Sequence, residues 1–203
     1  MKYSSGKPLV LASASMARQR MLSSAGVGVD VVPAAVDEEA IKESLLAEAA
    51  SPVYIADSLA DAKARNVSFM HADRLVLGAD QILVQDGQVF SKATTLDQAT
   101  ATLKMLSGKQ HQLISAAVIY DAGQPVWRAI SSAKLSVRDL SDDFIYQYLT
   151  ALGDDAFWSV GCYQLEGLGA QLFDKVDGDY FTILGLPLLP VLDFLRQRGM
   201  VMV

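Results

Sequence analysis

One carboxylate stands where a carboxylate is costly. Asp80 interrupts an apolar stretch, with Leu75, Val76 and Leu77 leading in and Ile82, Leu83 and Val84 leading out. An unpaired acid inside a core costs several kcal/mol or takes up a proton, so a strand that carries one is expected to turn it toward an open cleft. A solvated Asp on an edge strand is the plainer alternative. A second candidate is Ser13-Ala14-Ser15, followed by Arg18. Small hydroxylated residues at a helix start leave the first backbone N–H groups pointing outward, making an anion site to which Arg18 adds charge; ordinary capping explains the same serines, and both can hold. A third is Asp37-Glu38-Glu39. Acids at a helix N-terminus suit the macrodipole, and carboxylates just past a strand end equally suit Mg2+ with its waters. Lys63, beside an apolar helical stripe, would ordinarily snorkel to water, and Lys92 closes a strand that holds Val89 and Phe90.

These residues need a scaffold, and the apolar pattern supplies one. Residues 9–12 read as a buried parallel strand, a helical spacing begins at Arg18, Met21 and Leu22, and Gly26 and Gly28 end it before a second strand over 29–32. Helical patterns follow through Ile41, Leu45 and Leu46 and then over 52–66. Gln85-Asp86-Gly87 is a tight turn, making the Asp80 strand one arm of a hairpin. A helix over 97–106 leads to two strands, 111–120 and 126–137, whose alternation predicts that both are half exposed. Ser141 caps a helix over 142–152; a glycine-rich stretch, 161–167, and a turn at Asp177-Gly178 precede a closing helix over 188–198. Helices and strands alternate first and an antiparallel patch comes later. The expected fold is α/β with a mixed central sheet flanked by helices.

Composition narrows the function. The 203 residues are 51% apolar, enough for a sizeable core and unlike a disordered chain, and the formal charge of −6 argues against a nucleic-acid binder. Lysines converging in one cleft could still attract a small anion. Cys162 is the single cysteine, which fits a reducing cytoplasm. The first six residues lack a signal-peptide pattern, and the longest apolar run, 182–192, is broken by Pro187 and Pro190 and falls short of the ~20 residues that cross a bilayer. No P-loop or dinucleotide loop is complete, and a zinc site is not supported. Cys162 with His111 remains a minor possibility as a nucleophilic pair.

Taken together, residues 9–22, Asp37-Glu38, Leu59-Ala60 with Lys63-Ala64, Gly78-Ala79-Asp80, Ser91-Lys92, Leu106-Ser107-Gly108 with His111, and 161–167 resemble the successive motifs of the Maf family of nucleoside triphosphate pyrophosphatases. Gly178-Asp179-Tyr180 and Gly185-Leu186-Pro187-Leu188 resemble its closing segment, so the likeness runs in order through nearly the whole chain. It implies a single Maf-like domain over 1–203, related to the inosine triphosphatases, with two lobes around a deep cleft and often dimeric. It also implies hydrolysis of the α–β phosphoanhydride to a nucleoside monophosphate and pyrophosphate. By the same likeness Asp80 is the proton acceptor for water. Ser13, Ser15, Arg18, Lys63 and Lys92 face the phosphates, and Glu38 with Asp80 lies at a divalent metal, Mg2+ or Mn2+. The chemistry agrees, because charge gathers on the departing oxygens and needs cations over it.

The departures from the family pattern concern the base. Met16-Ala17-Arg18 replaces a Pro-Arg-Arg sequence, removing one cation. Gln81 and Glu166 resemble the branch that acts on 7-methyl-GTP, whose cationic guanine a carboxylate could pair and accept from. Ala17 stands where that branch has Trp, losing a stacking contact worth ~1 to 2 kcal/mol. Ala17, Gln81 and Glu166 are therefore the specificity positions. The expected substrate is a modified purine nucleotide; the alternatives are a pyrimidine or broad preference, and a nucleotide-binding regulator of division with little turnover.

Overall fold

Short buried strands and amphipathic helices assemble as the apolar pattern predicts. A computed structural model describes residues 6–202; the start of the chain read above for a targeting pattern lies, except for Gly6, outside the described residues. In chain order the elements are β1 (Leu9–Leu11), α1 (Met16–Ser24), β2 (Val29–Val31), α2 (Glu38–Ala47), α3 (Pro52–Ser68), β3 (Val76–Gln85) and β4 (Gln88–Val89). Then come α4 (Leu96–Leu106), β5 (Gln110–Asp121), β6 (Gln124–Val137), α5 (Asp142–Leu152), β7 (Phe173–Asp177), α6 (Tyr180–Ile183) and α7 (Leu188–Gln197). The sheet order is β2-β1-β3-β5-β6-β7, with β4 paired to β3. β1 runs parallel to β2 and β3, whereas the β3–β4 and β6–β7 pairs are antiparallel, so the sheet is mixed.

Two compact units divide the chain. Among the described residues the first holds 6–81, Ile114–Ser131 and 180–202; the second holds Ile82–Leu113 and Ser132–Asp179. β3, β5 and β6 each pass from one unit into the other along the chain. In the first unit strand alternation sorts the side chains of β3. Leu77 and Ala79 join Leu9, Leu11, Ala117 and Ile119 in a core against Met21 and Leu22 of α1 and Val191 and Leu195 of α7. Gly78 and Asp80 point to the other face, toward α3. There a Cβ on Gly78 would lie 2.2 Å from the Ala60 carbonyl oxygen and 2.5 Å from the Ala64 nitrogen. Only a glycine lets helix and strand backbones approach so closely.

In the second unit α4 and α5 pack together, with Leu103, Leu106, Ile145 and Leu149 buried. Arg138 lies 4.1 Å over the Phe144 ring.

Two expectations need correction. β6 alternates as predicted, but β5 is buried continuously from Leu113 to Tyr120, because it sits inside the sheet between β3 and β6 and presents both faces to packing. β7 has no counterpart in the sequence reading: Asp174, Lys175 and Asp177 make it exposed and polar, the pattern of a protected sheet edge rather than of a core strand.

Candidate active site

A lysine answers the question Asp80 poses. β3 lies between β1 and β5, so the solvated edge position is ruled out, and the Asp80 side chain is only 9% exposed. Lys63, three residues after Ala60, whose contact with Gly78 brings α3 against β3, donates from Nζ to Asp80 Oδ1 at 2.6 Å. The same ammonium pairs with Glu38 Oε2 at 2.7 Å. Lys63 is itself buried, so the snorkelling expected of it does not occur. Its desolvation is offset by two carboxylates from two different elements, the first residue of α2 and the middle of β3.

The neighbouring acids separate by role. Asp37 caps α2, accepting from the Ala40 nitrogen at 3.0 Å, and Glu39 takes Lys42 at 2.6 Å. For these two the helix-terminus explanation suffices. Glu38 alone of the three is directed at Lys63.

The serine turn does what both of its readings required. Ser15 is the N-cap of α1, accepting from the Arg18 nitrogen at 3.4 Å, while Ser13 Oγ accepts from the Ser15 nitrogen at 3.3 Å. Arg18 folds back over it, donating from Nη1 to Ser13 Oγ at 3.0 Å and from Nε to the Gly185 carbonyl at 2.7 Å. Burial lowers the pKa of this guanidinium, and the charges of Asp80 and Glu38 act in the opposite direction. Arg18 is thus electrostatically part of the Asp80–Glu38–Lys63 group. Gly185 is a site residue that the chemistry of side chains does not disclose. Its φ is +99°, and a Cβ there would lie 3.3 Å from Arg18 Nη2. The glycine before Leu186-Pro187 was the only available signal.

Gln81, next to Asp80, points to the opposite face of β3. Its amide nitrogen donates to the Thr182 and Ile183 carbonyls at 2.9 and 3.0 Å and to Ser115 Oγ at 3.0 Å. Ala17 is half-buried in the first turn of α1. Thus the first unit brings together Ser13, Ser15, Arg18, Glu38, Lys63 and Asp80. Lys92 and Glu166 belong to the second unit and are exposed there. Lys92 follows buried Phe90, and Glu166 sits in a turn closed by the Gly167 nitrogen donating to the Gln164 carbonyl at 3.1 Å.

The second unit also disposes of the cysteine alternative. Cys162 is fully buried, and burial pushes its thiol up to about 11. His111 is not its partner: Nε2 of His111 lies 2.7 Å from the Tyr163 hydroxyl, and burial pushes the imidazole down to about 4. A neutral buried thiol without a base is no nucleophile. Among the described residues no group of three His, Cys, Asp or Glu could hold a metal ion. Asp80 and Glu38, both on the one Lys63 ammonium, are a two-carboxylate set. Such a set fits Mg2+, which commonly takes one or two protein carboxylates and fills its shell with water and phosphate oxygens. Among the described residues no helix is long and apolar enough to cross a membrane.

Comparison with known proteins bears on this geometry. The family model described as Maf-like protein matches residues 8–198. The chain is 52% identical over 192 residues to a nucleoside triphosphate pyrophosphatase of Caulobacter vibrioides, covering 95% of this chain and 96% of that one. It is 47% identical over 194 residues to a 7-methyl-GTP pyrophosphatase of Rhizobium meliloti, covering 95% and 98% of the two chains. A nucleoside triphosphate pyrophosphatase of Paramagnetospirillum magneticum is 50% identical over 190 residues, covering 94% and 98%.

Proposed function

The chain belongs to the Maf family, and from that premise we propose that it is a nucleoside triphosphate pyrophosphatase that cuts the α–β phosphoanhydride. The observation that carries the reading is buried Lys63 holding Asp80 at 2.6 Å and Glu38 at 2.7 Å. In this reading Asp80 takes a proton from the attacking water. The water oxygen bonds to phosphorus, the anhydride P–O bond breaks, and its electron pair leaves on the oxygen carried off by pyrophosphate. The other product is the nucleoside monophosphate.

The remaining residues manage charge. Asp80 and Glu38 balance Lys63 and Arg18, so these four side chains together carry no net charge with which to meet a triphosphate. Lys92 contributes a further cation toward the phosphates, and Ser13, Ser15 and the first N–H groups of α1 receive phosphate oxygens beside Arg18. Glu38 and Asp80 would hold a divalent cation, Mg2+ or Mn2+. When bound, it would supply positive charge against the oxygens on which charge gathers in the transition state. Substrate phosphates arriving at Lys63 would share its ammonium with the two acids. The ammonium is then a bridge from the base to the departing group.

For the base, Gln81, Glu166 and Ala17 favour a modified purine of the 7-methyl-GTP kind, with Glu166 pairing the cationic ring. The name of the Rhizobium meliloti relative supports that preference, while the names of the Caulobacter vibrioides and Paramagnetospirillum magneticum relatives support a broader one. The two compact units are read as parts of one Maf-like domain, since three strands run through both. The lone cysteine suits a reducing cytoplasm as the place of action.

A competition assay tests this reading. Purified protein with Mg2+ is given 7-methyl-GTP, GTP, dTTP, UTP and CTP together, and pyrophosphate is resolved from single phosphate. Pyrophosphate with a nucleoside monophosphate, fastest from 7-methyl-GTP, is the expected result. Faster dTTP or UTP would overturn the base preference, and single phosphate with a nucleoside diphosphate would overturn the reaction.

A further inference from the structure

A hydroxyl with no access to water stands out on β5. Ser115 is 0% exposed in a run that is otherwise Leu113, Ile114, Ala116, Ala117, Val118 and Ile119. A buried polar group must find partners, and Ser115 has two. Its Oγ donates to the Thr182 carbonyl at 2.8 Å and accepts from Gln81 Nε2 at 3.0 Å. The Gln81 nitrogen also donates to the Thr182 and Ile183 carbonyls at 2.9 and 3.0 Å. Those carbonyls close the single turn of α6, and the Thr182 carbonyl also accepts from the Gly185 nitrogen at 3.1 Å.

This arrangement fixes which way the Gln81 amide faces. Its nitrogen meets three acceptors, because the Ser115 proton is already given to Thr182. Reversing the amide would set its oxygen against two carbonyl oxygens and a hydroxyl lone pair, acceptor facing acceptor with the Gln81 donors lost from all three contacts. Both amide protons are therefore spent inside the protein. Gln81 Oε1 makes no hydrogen bond to a described residue. The unpartnered buried side-chain atoms among the described residues are Asp57 Oδ1, Gln85 Nε2 and His111 Nδ1, so Gln81 Oε1 reaches solvent.

We propose that Ser115 is the positioning residue for Gln81, and that Gln81 consequently meets a nucleotide as an acceptor only, selecting bases that carry an N–H donor. The inference rests on the reading of Gln81 as facing the substrate base. A glutamine free to rotate would offer either its N–H or its carbonyl and would discriminate little. Clamped by Ser115, it accepts from a ring N–H or an amino group of guanine and offers nothing to a base edge of acceptors alone.

The test compares two purine nucleotides that differ in this donor. Inosine triphosphate has a ring N–H at N1, whereas purine ribonucleoside triphosphate has no N–H on its base. Wild-type protein is expected to prefer inosine triphosphate by about tenfold in kcat/KM, the scale of one hydrogen bond made to a fixed acceptor. Ser115→Ala should reduce that preference to about twofold, with the loss falling in KM, and Ser115→Thr, which keeps the hydroxyl, should restore it. Equilibrium binding of the same pair should show the same contrast. The inference thus stands or falls separately from turnover: absence of pyrophosphate from every nucleotide would contradict the proposed activity while the binding ratio still judges Gln81. Equal affinity of wild-type protein for the two nucleotides would overturn the inference. So would a Ser115→Ala protein that keeps its preference, or one that loses both nucleotides in parallel.

Discussion

A lysine taken out of water must find an acid, and Lys63 finds two. Their exposures differ, and the difference predicts different consequences of removal. Asp80 is 9% exposed and Glu38 52%. Lys63→Met would strand Asp80 as an uncompensated buried charge, a loss of about 3 kcal/mol by denaturant titration, together with a fall in turnover of at least ~100-fold. Glu38→Gln breaks only the half-exposed arm of the bridge. Its stability change should stay below about 1 kcal/mol, while the Mg2+ concentration needed for half-maximal turnover rises severalfold. A Glu38→Gln protein as unstable as Lys63→Met would show that the bridge is not divided in this way. At this scale the acid and the serine turn were legible in the sequence, because an Asp among apolar residues and paired serines before a helix each need a physical reason. Lys63 was misleading on its own, since a lysine beside an apolar stripe usually reaches water. Ser115 left no trace, and Gly185 only the glycine of a closing motif, because their importance lies in which groups they face.

The contact that positions this bridge belongs to two elements, α3 and β3. Gly78 lets them meet where a Cβ would fall 2.2 Å from the Ala60 carbonyl oxygen, and that approach sets Lys63 against Asp80. Gly78→Ala must push the helix away from the strand. Backbone atoms cannot yield as a flexible side chain does, so the expected cost is about 3 kcal/mol or more, with turnover falling further than stability alone explains. Thermal unfolding and kinetics on the folded protein separate the two effects. A well-folded, fully active Gly78→Ala protein would contradict the account of how the site is built. Gly87, in the turn after β3, faces open space, so Gly87→Ala should cost only the strain of its φ of +81°, about 1 kcal/mol. Most elements could be placed from the pattern: the Asp80 hairpin, the cap at Ser141 and the closing helix all lie where apolar spacing and turn residues put them. β5 defied its half-exposed reading because neighbours on both sides, not its own sequence, decide its burial. β7 was hidden by charges that a sheet edge accommodates.

For the molecule as a whole, stability should depend on pH through a group to which no chemistry is assigned. His111 is 2% exposed and titrates near 4 when folded, against an ordinary 6.5. The unfolded chain therefore binds the proton first. Above pH 6.5 both states are neutral and no stability is lost; as pH falls from 6.5 toward 4, protonation of the unfolded state lowers stability, by about 2 kcal/mol at pH 5. Unfolding free energies at pH 7 and pH 5 should differ accordingly, and His111→Gln should remove most of that slope. An unchanged slope would assign it to other groups. At this scale the fold class and the order of motifs were legible because the motifs follow one another in order along nearly the whole chain. The division into two compact units accords with the two lobes the resemblance implies, but the apolar pattern could not place its boundaries, because they depend on contacts between residues distant in sequence. The central claim is that Asp80 serves chemistry rather than structure, and Asp80→Asn tests it most directly. The amide keeps the size of the side chain and can still hydrogen-bond, but it cannot take a proton from water. With Mg2+ and the preferred nucleotide, pyrophosphate release should fall at least ~100-fold while nucleotide still binds to the folded protein. Pyrophosphate release within a few-fold of wild type by folded Asp80→Asn protein would contradict the account.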